Sequence, residues 1–492
     1  MTWPFDSVLV ANRGEIAARI LRTVKALGLR GVLVHHPLDA DSPAARLADQ
    51  AIEIRGATPV AAYLDGAQIM AAAQASGAGA IHPGYGFLSE NAAFARAVIE
   101  AGLTFVGPTP QAIELMGDKI RARAFVAAAG FPVVPSAIEE DDRASFAQRA
   151  AAVGLPVLIK PAAGGGGKGM HIVREAGQLA AAIERARSEA RRYFGDSRLY
   201  VERYIEQPRH IEVQVLGDAH GNVVHLFERE CSVQRRFQKI VEESPSPALD
   251  AATRERICTV AVGIARQAGY RNAGTVEFIF SAGRFHFLEM NTRLQVEHPV
   301  TEQITGIDLV REQLRIAAGE PLGYGQPSIR AHGHSIEYRI YAEDAAGGFT
   351  PTTGRLRIVQ WPHGEGVRID SGVGIGQSIS AAFDPMLAKL VVTAADRPAA
   401  LALADRALAE CVLLGCTTNT GFLRRLNAHP TFVAGDVHTG FLDTHPEIAA
   451  GPPRQAALIH RLLAAAALGT RALRDEALAV PALHAAIGAW RN

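Results

Sequence analysis

The run with the most chemically active side chains is FHFLEMNTRLQVEHPVTE, residues 285–302. Side chains alternate between the two faces of an extended strand. If the chain stays extended here, one face carries Glu289, Asn291, Arg293, Gln295 and Glu297. Five polar positions in succession on one face indicate either a solvated sheet edge or a surface that binds charged ligands.

A partner for this face comes from TVEFIFSAGRFHFLEMN, which predicts a hairpin of two apolar strands around a four-residue turn. The hairpin sets Glu277 almost opposite Glu289, with Asn291 two positions further along. Two carboxylates and an amide oxygen on a buried sheet repel one another unless a cation lies between them. Such oxygen ligands suit Mg²⁺ or Mn²⁺ completed by substrate phosphates. Two unrelated surface glutamates are the alternative.

Further along the same face, Arg293 offers a planar guanidinium with a fixed positive charge, and Glu297 offers a carboxylate two positions later on that face. This is an arrangement for holding a small oxyanion and taking its proton. Arg339, in EYRIYAED, is another arginine within a predicted strand, where a buried guanidinium needs a partner. A structural salt bridge is the alternative interpretation of Arg339.

A second candidate site is the glycine-rich stretch KPAAGGGGKGM, residues 160–170. It fails the phosphate-loop pattern G-x-x-x-x-G-K-[ST], because Gly169 follows Lys168 and Ala162 replaces the first glycine. It satisfies G-x-G-x-x-G only formally, since a strand-like MHIVRE follows instead of a helix. Strand, glycine turn and strand predict a hairpin whose tip can fold over phosphates. An ordinary surface hairpin is the alternative.

The elements that must position these residues follow from hydrophobic patterning. Residues 7–84 alternate strands and helices as βαβαβ, which predicts a parallel sheet with covering helices. The first turn, NRGE, lacks the glycine spacing of a dinucleotide site, so the sheet is Rossmann-like without an indication of NAD. A mixed region that contains the glycine hairpin runs to about residue 325. The short strands and the helix that follow predict a compact α+β domain. The C-terminal residues predict a helical tail.

Composition excludes several classes of protein. The 492 residues carry 50 basic and 50 acidic side chains, so no strongly basic nucleic-acid surface is expected. No long apolar run, signal peptide or lipidation motif is present, which predicts a cytoplasmic protein with no membrane contact. The four cysteines lack metal or disulfide spacing and are expected to be reduced and buried. Only six lysines accompany 44 arginines, and three of the six lie within or just before glycine- or charge-rich loops, which makes those three candidates for binding a single phosphate or anion oxygen.

Many long motifs, in order, resemble the biotin carboxylase family of the ATP-grasp superfamily. They are ANRGEIAARI, IHPGYGFLSEN, FVGPTP, MGDK, IKPAAGGGGKGM, VERYIEQPRHIEVQV, ERECSVQRRFQK, FLEMNTRLQVEHPVTE and HSIEYRIYAED. Within that family the chain is most similar to the alpha chains of acyl-CoA carboxylases, through FDPMLAKL and the tail ending AAIGAWRN. The resemblance implies a Rossmann-like domain at residues 1–118, an ATP-grasp domain at 119–330 with a lid at about 133–204, a C-terminal domain at 331–446, and a helical tail at 447–492.

The resemblance also implies roles for individual residues. ATP phosphates would contact Lys119 and Lys160, with Gly166 and Gly167 in the lid. The nucleotide base and ribose would meet Glu202, Arg203, Tyr204, Ile205, His210 and Gln234, and Mg²⁺ or Mn²⁺ would be held by Glu277, Glu289 and Asn291. Bicarbonate would be bound by Lys239, Arg293, Gln295 and Val296 and deprotonated by Glu297, while Arg339 would steady the biotin enolate and Tyr85 would contact substrate. Phe237 departs from the family, which commonly has histidine there, and leaves nucleotide contact at that position in doubt.

The implied activity is ATP- and bicarbonate-dependent carboxylation of biotin on a carrier, with a carboxyltransferase partner and a homodimer expected. Attachment of biotin needs a lysine, and the final one, Lys389, lies in the apolar strand AKLVV. Biotin is therefore expected on a separate carrier or on a carrier domain outside this sequence. Alternative functions are another ATP-grasp carboxylate ligase or a non-catalytic nucleotide-binding subunit. The sequence leaves open which acyl-CoA is finally carboxylated.

Overall fold

The computed structural model describes residues 3–139, 143–162, 169–451 and 456–469. The chain divides into two compact units, residues 1–449 and residues 450–492. Gly166 and Gly167 lie outside the described residues, as do 452–455 and 470–492 of the expected helical tail.

The N-terminal part of the first unit is a parallel sheet in the order β3-β2-β1-β4-β5. Its strands are β1 (Ser7–Val10), β2 (Arg30–His35), β3 (Gln50–Glu53), β4 (Ala80–His82) and β5 (Thr104–Phe105). The helices are α1 (Gly14–Ala26), α2 (Pro43–Leu47), α3 (Pro59–Leu64), α4 (Gly66–Ser76), α5 (Ala92–Glu100), α6 (Pro110–Gly117) and α7 (Lys119–Ala128). The predicted Rossmann-like alternation of strand and helix is confirmed.

A small four-stranded sheet follows, in the order β6-β9-β7-β8. Its strands are β6 (Ser136–Ile138), β7 (Val157–Pro161), β8 (His171–Val173) and β9 (Leu199–Arg203), and its helices are α8 (Arg143–Ala152) and α9 (Leu179–Phe194). Strands β7 and β8 pair antiparallel on either side of the glycine-rich stretch, so the predicted hairpin is confirmed in its strands. Phe146, Ile159 and Val201 belong to the apolar core between this sheet and its helices.

The central region contributes five long strands and three helices. They are β10 (Arg209–Gly217), β11 (Val223–Arg235), β12 (Gln238–Ser244), α10 (Ala251–Gln267), β13 (Asn272–Ser281), β14 (Arg284–Asn291), α11 (His298–Thr305) and α12 (Leu309–Ala317).

The last part of the first unit holds nine strands and five helices. The strands are β15 (His334–Tyr341), β16 (Glu343–Asp344), β17 (Thr350–Pro351), β18 (Gly354–Arg355), β19 (Ile358–Gln360), β20 (Val367–Ser371), β21 (Ser378–Ile379), β22 (Met386–Ala394) and β23 (Val412–Leu414). The helices are α13 (Arg397–Glu410), α14 (Thr420–Asn427), α15 (Pro430–Val433), α16 (Phe441–Thr444) and α17 (Glu447–Ala450).

One antiparallel sheet joins these two regions, in the order β14-β13-β10-β11-β12-β15-β22-β20. The expected domain boundary at residue 330 therefore falls between two strands, β12 and β15, that are hydrogen-bonded neighbours. The three-domain division of the chain remains a prediction. This continuous sheet brings side chains far apart in sequence to one surface.

The second unit contains helix α18 (Ala456–Gly469), which exposes Leu462 and Leu463. No helix within the described ranges is both long and apolar enough to cross a bilayer. All four cysteines are free thiols, and three of them are buried as predicted, whereas Cys416 is half-buried.

Candidate active site

The hairpin formed by β13 and β14 places Glu277 directly across from Glu289 in antiparallel register. This confirms the opposition that was predicted from the alternating pattern. The turn is shorter than predicted, because only Ala282 and Gly283 separate the strands and both have positive φ angles, 48° and 73°. Two central residues with positive φ match the right-handed twist of the flanking strands.

The expectation that the chain stays extended to Glu297 is wrong. Strand β14 ends at Asn291, and Gln295 and Glu297 lie in the turn that leads into α11. Pro299 accounts for the helix that follows this turn, since proline favours the first turn of a helix and cannot donate to a sheet ladder. The five polar side chains nevertheless line one cleft, because the turn carries the last of them back over the sheet.

This cleft has a volume of about 880 Å³ and lies between the four-stranded sheet of β6 to β9 and the large eight-stranded sheet. Eighteen of the residues singled out in the sequence line it: Lys119, Lys160, Glu202, Arg203, Tyr204, Ile205, His210, Gln234, Phe237, Lys239, Glu277, Glu289, Asn291, Arg293, Gln295, Val296, Glu297 and Arg339. Their individual roles remain predictions. A cleft of this size matches the pockets that hold nucleotides and other small ligands.

Lys239 is the electrostatic centre of the cleft. Its Nζ lies 2.5 Å from Glu212 Oε2, 2.9 Å from Glu277 Oε1 and 2.7 Å from Glu297 Oε1. Burial alone would lower the pKa of Lys239, but the three carboxylates hold that pKa well above its ordinary value. Lys239 is therefore a fixed positive charge throughout the neutral pH range.

Glu297 lies between two cations. Its Oε1 pairs with Lys239, and its Oε2 accepts a hydrogen bond of 2.8 Å from Arg339. Burial would raise the pKa of Glu297, yet Lys239, Arg339 and Arg229 together hold that pKa well below its ordinary value. The carboxylate is thus ionised at neutral pH, with each of its oxygens paired to a cation.

Arg229, which the sequence interpretation missed, supports this cluster from beneath. It is fully buried, and its Nε donates to Glu212 Oε1 at 2.5 Å while a terminal nitrogen donates to Gln295 Oε1 at 3.3 Å. The available signal was a run of charges, Glu228 to Glu230, inside an otherwise apolar strand. Buried charges of this kind need partners, which predicts a network but not its members.

The predicted metal ligands form a set of hard oxygen donors on the two neighbouring strands. Glu277 accepts hydrogen bonds of 2.9 Å from Asn291 Nδ2 and from Gln295 Nε2, and it lies 3.0 Å from His210 Nε2. Glu289 faces the cleft 3.3 Å from Lys119 Nζ. Carboxylate and amide groups on one wall of a phosphate-sized cleft fit Mg²⁺ or Mn²⁺, which keep part of their coordination for phosphates and water.

The two lysines expected to contact phosphate are held from different elements. Asp118 caps α7 by accepting from the backbone N–H of Ile120 and Arg121, which fixes Lys119 in the first helical turn. Lys160 on β7 forms an ion pair with Glu202 on the neighbouring β9. Both side chains line the same cleft.

Arg293 and Tyr85 have different surroundings. Arg293 donates through Nε to Glu90 at 2.8 Å and through a terminal nitrogen to Asn291 Oδ1 at 3.0 Å, so its fork is held rigidly. Tyr85 donates its hydroxyl to Glu15 and is not among the residues that line the cleft. The predicted substrate contact of Tyr85 stays a prediction.

Phe237 lies at the mouth of the cleft with 62% of its surface exposed. Together with Arg236 it forms the two-residue turn between β11 and β12, and both have positive φ angles, 50° and 67°. Bulky residues are uncommon in this conformation, although two positive φ angles are the usual geometry of a two-residue hairpin turn. The ring is presented to solvent and to any ligand entering the cleft.

Replacing Phe237 with histidine is expected to strengthen nucleotide binding slightly or leave it unchanged. A single neutral hydrogen bond contributes only about 0.5–1.5 kcal/mol, and the exposed ring supports no core. Titration of the variant with ATP, compared with turnover at saturating ATP, separates binding from chemistry. A tenfold or larger change in that turnover would show that Phe237 takes part in the reaction.

The sequence interpretation also missed a wall of the cleft that comes from the segment around α16. This wall consists of His438, Thr439, Gly440, Asp443 and Thr444. The backbone N–H of Thr439 donates to Pro208 O at 2.9 Å, which fixes the segment beside the start of β10. Its small and polar residue types carry no recognisable pattern, so only the folded chain reveals them.

The β7–β8 hairpin and the large antiparallel sheet, with paired carboxylates and lysines in the cleft between them, are the arrangement of an ATP-grasp enzyme, a class of ATP-dependent ligases. Family models agree along the chain. The N-terminal domain of biotin carboxylase matches residues 4–113, the ATP-binding domain of the carbamoyl-phosphate synthase L chain matches 118–324, and the C-terminal domain of biotin carboxylase matches 337–444. The chain belongs to the biotin carboxylase family.

Individual relatives support this assignment. Biotin carboxylase of Halalkalibacterium halodurans is 48% identical over 453 residues, covering 91% of this chain and 99% of that protein. The mitochondrial alpha subunit of methylcrotonoyl-CoA carboxylase from Dictyostelium discoideum is 47% identical over 91% of this chain, which spans only 65% of the length of that subunit.

Solved structures agree as well. The biotin carboxylase domain of 2-oxoglutarate carboxylase from Hydrogenobacter thermophilus, a dimer in complex with MgADP, ADP and bicarbonate, has a TM-score of 0.87 at 43% identity and covers 92% of this chain and 100% of that domain. Biotin carboxylase from Campylobacter jejuni has a TM-score of 0.86 at 42% identity, covering 90% of this chain and 99% of that one. The predicted multidomain fold is confirmed.

Proposed function

We propose that this chain carboxylates carrier-bound biotin in the first half-reaction of an acyl-CoA carboxylase. The proposal rests on the position of Glu297. Its carboxylate is held between Lys239 and Arg339 in a cleft large enough for ATP. Two fixed cations beside an ionised carboxylate suit a small anion that must be both bound and deprotonated.

In the first step, Glu297 takes the proton of bicarbonate, an oxygen of the deprotonated anion attacks the γ-phosphorus of ATP, and the bond to ADP breaks with its electrons leaving on ADP. Lys119 and Lys160 offset the charge that develops on the phosphoryl oxygens, and Lys239 with Arg293 binds the bicarbonate. Glu277, Glu289 and Asn291 would hold Mg²⁺ or Mn²⁺, which supplies charge neutralisation at the phosphates when bound. The product is carboxyphosphate.

In the second step, carboxyphosphate breaks down to CO₂ and phosphate. The phosphate removes the N1 proton of biotin, and the enolate that forms is stabilised by Arg339. N1 then forms the new bond to carbon of CO₂. The atoms balance, because every proton released ends on Glu297 or on phosphate.

The depressed pKa of Glu297 makes it a weak base in the unliganded protein, since Lys239 and Arg339 favour its ionised form. A bound bicarbonate shares Lys239, and a bound enolate shares Arg339. Each anion therefore weakens the hold of one cation on Glu297 and raises its basicity when a proton must be taken. Substrate binding and activation of the base are coupled through the two shared cations.

The test of this function is incorporation of labelled bicarbonate into biotin by the purified chain, with ATP and Mg²⁺. Acid-labile label should appear only when ATP, bicarbonate, metal and biotin are all present. Transfer of label to a different carboxylate or amine acceptor, with none to biotin, would favour another ATP-grasp ligase. Nucleotide binding without ATP hydrolysis would favour a non-catalytic subunit.

The acceptor is expected to be a carrier domain rather than a lysine of the folded region described above. Lys389 is fully buried in β22, where its Nζ donates to Val296 O at 2.7 Å and lies 3.2 Å from Glu15 Oε2. An ammonium held in this way cannot present a swinging cofactor. Biotin is proposed to arrive on a separate carrier or on a carrier domain of a longer chain.

Carrier-linked biotin is expected to be a far better substrate than free biotin. Tethering supplies an effective concentration on the order of millimolar, which dissolved biotin does not match at working levels. Carboxylation rates with both acceptors give the comparison, and intact mass after co-expression with a biotin ligase checks for attachment. Equal catalytic efficiency for both acceptors, or a stoichiometric biotin adduct on Lys389, would contradict this proposal.

The partners follow from the same proposal. A carboxyltransferase subunit would take the carboxyl group from the carrier and give it to an acyl-CoA, such as acetyl-, propionyl- or methylcrotonyl-CoA. A homodimer is proposed because the related domain from Hydrogenobacter thermophilus is a dimer. Native mass measurement and co-purification with candidate carboxyltransferase subunits test both expectations.

A further inference from the structure

Two buried carboxylates lie behind Arg339 without hydrogen-bond partners. Glu242 on β12 and Glu337 on β15 are both 0% exposed and stand directly opposite each other in the antiparallel ladder. Among the described residues, none of their four carboxylate oxygens has a hydrogen-bond partner. Native proteins rarely leave buried polar atoms unpaired, so this pair calls for a physical explanation.

Their immediate environment is crowded with charge. Glu242 Oε1 lies 2.7 Å from Nε of Arg339, close enough for an ion pair although the direction does not satisfy a hydrogen bond. Several charged and titratable groups act on the pair: Lys239 on β12, Arg339 and Tyr341 on β15, Lys389 on β22, Cys231 on β11, Glu212 on β10, Glu297 before α11 and Tyr85 before α5. With both glutamates ionised, three carboxylates would surround a single guanidinium.

We propose that Glu242 is a positioning residue for Arg339 and that Glu242 and Glu337 share a single proton. The guanidinium is then held by two carboxylates, Glu297 at a terminal nitrogen and Glu242 at Nε, which fixes the plane of the fork. One shared proton keeps the pair at a single negative charge, because two buried carboxylates at directly opposed positions of neighbouring strands cannot both ionise readily. The inference rests on the proposed role of Arg339 in biotin carboxylation.

The electrostatics of the pair agree with this geometry. Burial raises the pKa of Glu337 well above its ordinary value, and the proximity of Glu242 raises it further. Burial also raises the pKa of Glu242 to about 7, against the opposing effect of Arg339. The proton therefore resides mainly on Glu337, while Glu242 carries the charge that faces Arg339 above about pH 7.

The same isosteric change at the two opposed positions tests the proposal. Glutamine resembles a protonated glutamic acid, so Glu337→Gln is expected to keep the kcat of biotin carboxylation. Glu242→Gln removes the charge behind Arg339 and is expected to lower that kcat by about 10- to 100-fold, since a slightly misplaced catalytic group costs this much. The KM for ATP should not change in either variant, because neither side chain lines the cleft.

A pH profile separates positioning from a purely structural role. The kcat of the wild type should fall as pH falls through about 7, where Glu242 takes up a proton and releases Arg339. That limb should persist in Glu337→Gln and vanish in Glu242→Gln, and Glu242→Asp should restore part of the lost rate.

Failure of the wild type to carboxylate biotin would remove the proposed function itself. If the wild type is active, a Glu242→Gln variant with unchanged kcat, or a Glu337→Gln variant impaired as severely as Glu242→Gln, overturns the inference. Should Glu242→Gln not fold, Glu337→Gln decides alone. Full activity with the acidic limb retained supports the shared proton, and lost activity overturns it.

Discussion

Replacing Glu297 with glutamine is expected to abolish bicarbonate-dependent ATP hydrolysis while leaving ATP binding intact. Glutamine keeps the size of the side chain, and its single amide oxygen can still accept from either Lys239 or Arg339, but its neutral amide cannot accept a proton. A positioned base contributes about 10²–10⁴-fold to a rate, so turnover should drop by at least about a hundredfold. Steady-state hydrolysis with and without bicarbonate, together with nucleotide titration, measures both effects.

Glu302→Gln is the matched control for this prediction. Glu302 is also a buried glutamate paired with arginines, Arg19 at 2.8 Å and Arg368 at 2.7 Å, but it lies further along α11 and outside the cleft. This control should lower stability without lowering the turnover of the folded protein. A Glu297→Gln variant that retains more than about a tenth of wild-type turnover would be incompatible with a base that supplies 10²-fold or more.

Replacing Lys239 with methionine is expected to have the second largest effect, on both activity and stability. The variant leaves Glu212, Glu277 and Glu297 buried around an apolar side chain. Removing one partner of a buried ion pair destabilises a protein by about 3–5 kcal/mol, because an uncompensated charge remains. Bicarbonate-dependent hydrolysis should disappear together with the anion site, and denaturant unfolding measures the loss of stability.

The stability deficit of Lys239→Met should depend on pH. In the wild type the folded-state pKa values of Glu277 and Glu297 lie well below their ordinary value of 4.5, so these groups contribute stability above that pH and lose it as pH falls. Without Lys239 much of that contribution is absent. The difference between the two proteins should therefore be largest at neutral pH and shrink below pH 4.5.

Lys25→Met provides the comparison for a lysine outside the cleft. Lys25 forms an ion pair of 2.7 Å with Asp49, and both side chains are substantially exposed. Exposed pairs contribute about 0–1 kcal/mol, so this variant should unfold and turn over like the wild type. Equal stability losses in the two variants would mean that the ammonium of Lys239 is not the centre of a buried cluster.

Much of the site could be predicted from local patterns. The opposition of Glu277 and Glu289 follows from two alternating strands joined by a short turn, and the structure has this register. The parallel N-terminal sheet and the hairpin around the glycines are also local, because each depends on periodicity within one short segment. Family motifs added the chemistry of bicarbonate and biotin, which spacing alone does not contain.

Local reasoning failed where the backbone left the extended conformation. The extended face was expected to run from Glu289 to Glu297, but the strand ends at Asn291 and a helix with Pro299 in its first turn begins at His298. The polar residues still meet in one cleft, for a different reason from the predicted alternation. Their convergence depends on how the turn folds back over the sheet.

Only the tertiary structure decided which distant charges meet. Lys239 and Arg339, 58 and 42 residues away from Glu297, reach that carboxylate because β12 and β15 are neighbours in one sheet. The same adjacency places Glu242 against Glu337, which no pattern in either strand predicts. Periodicity within a strand is set by the geometry of its own backbone and can be read from a few residues. The order of the strands in the sheet is set by the packing of the whole chain. This order determines which long-range ion pairs form, and no pattern within a single segment predicts it.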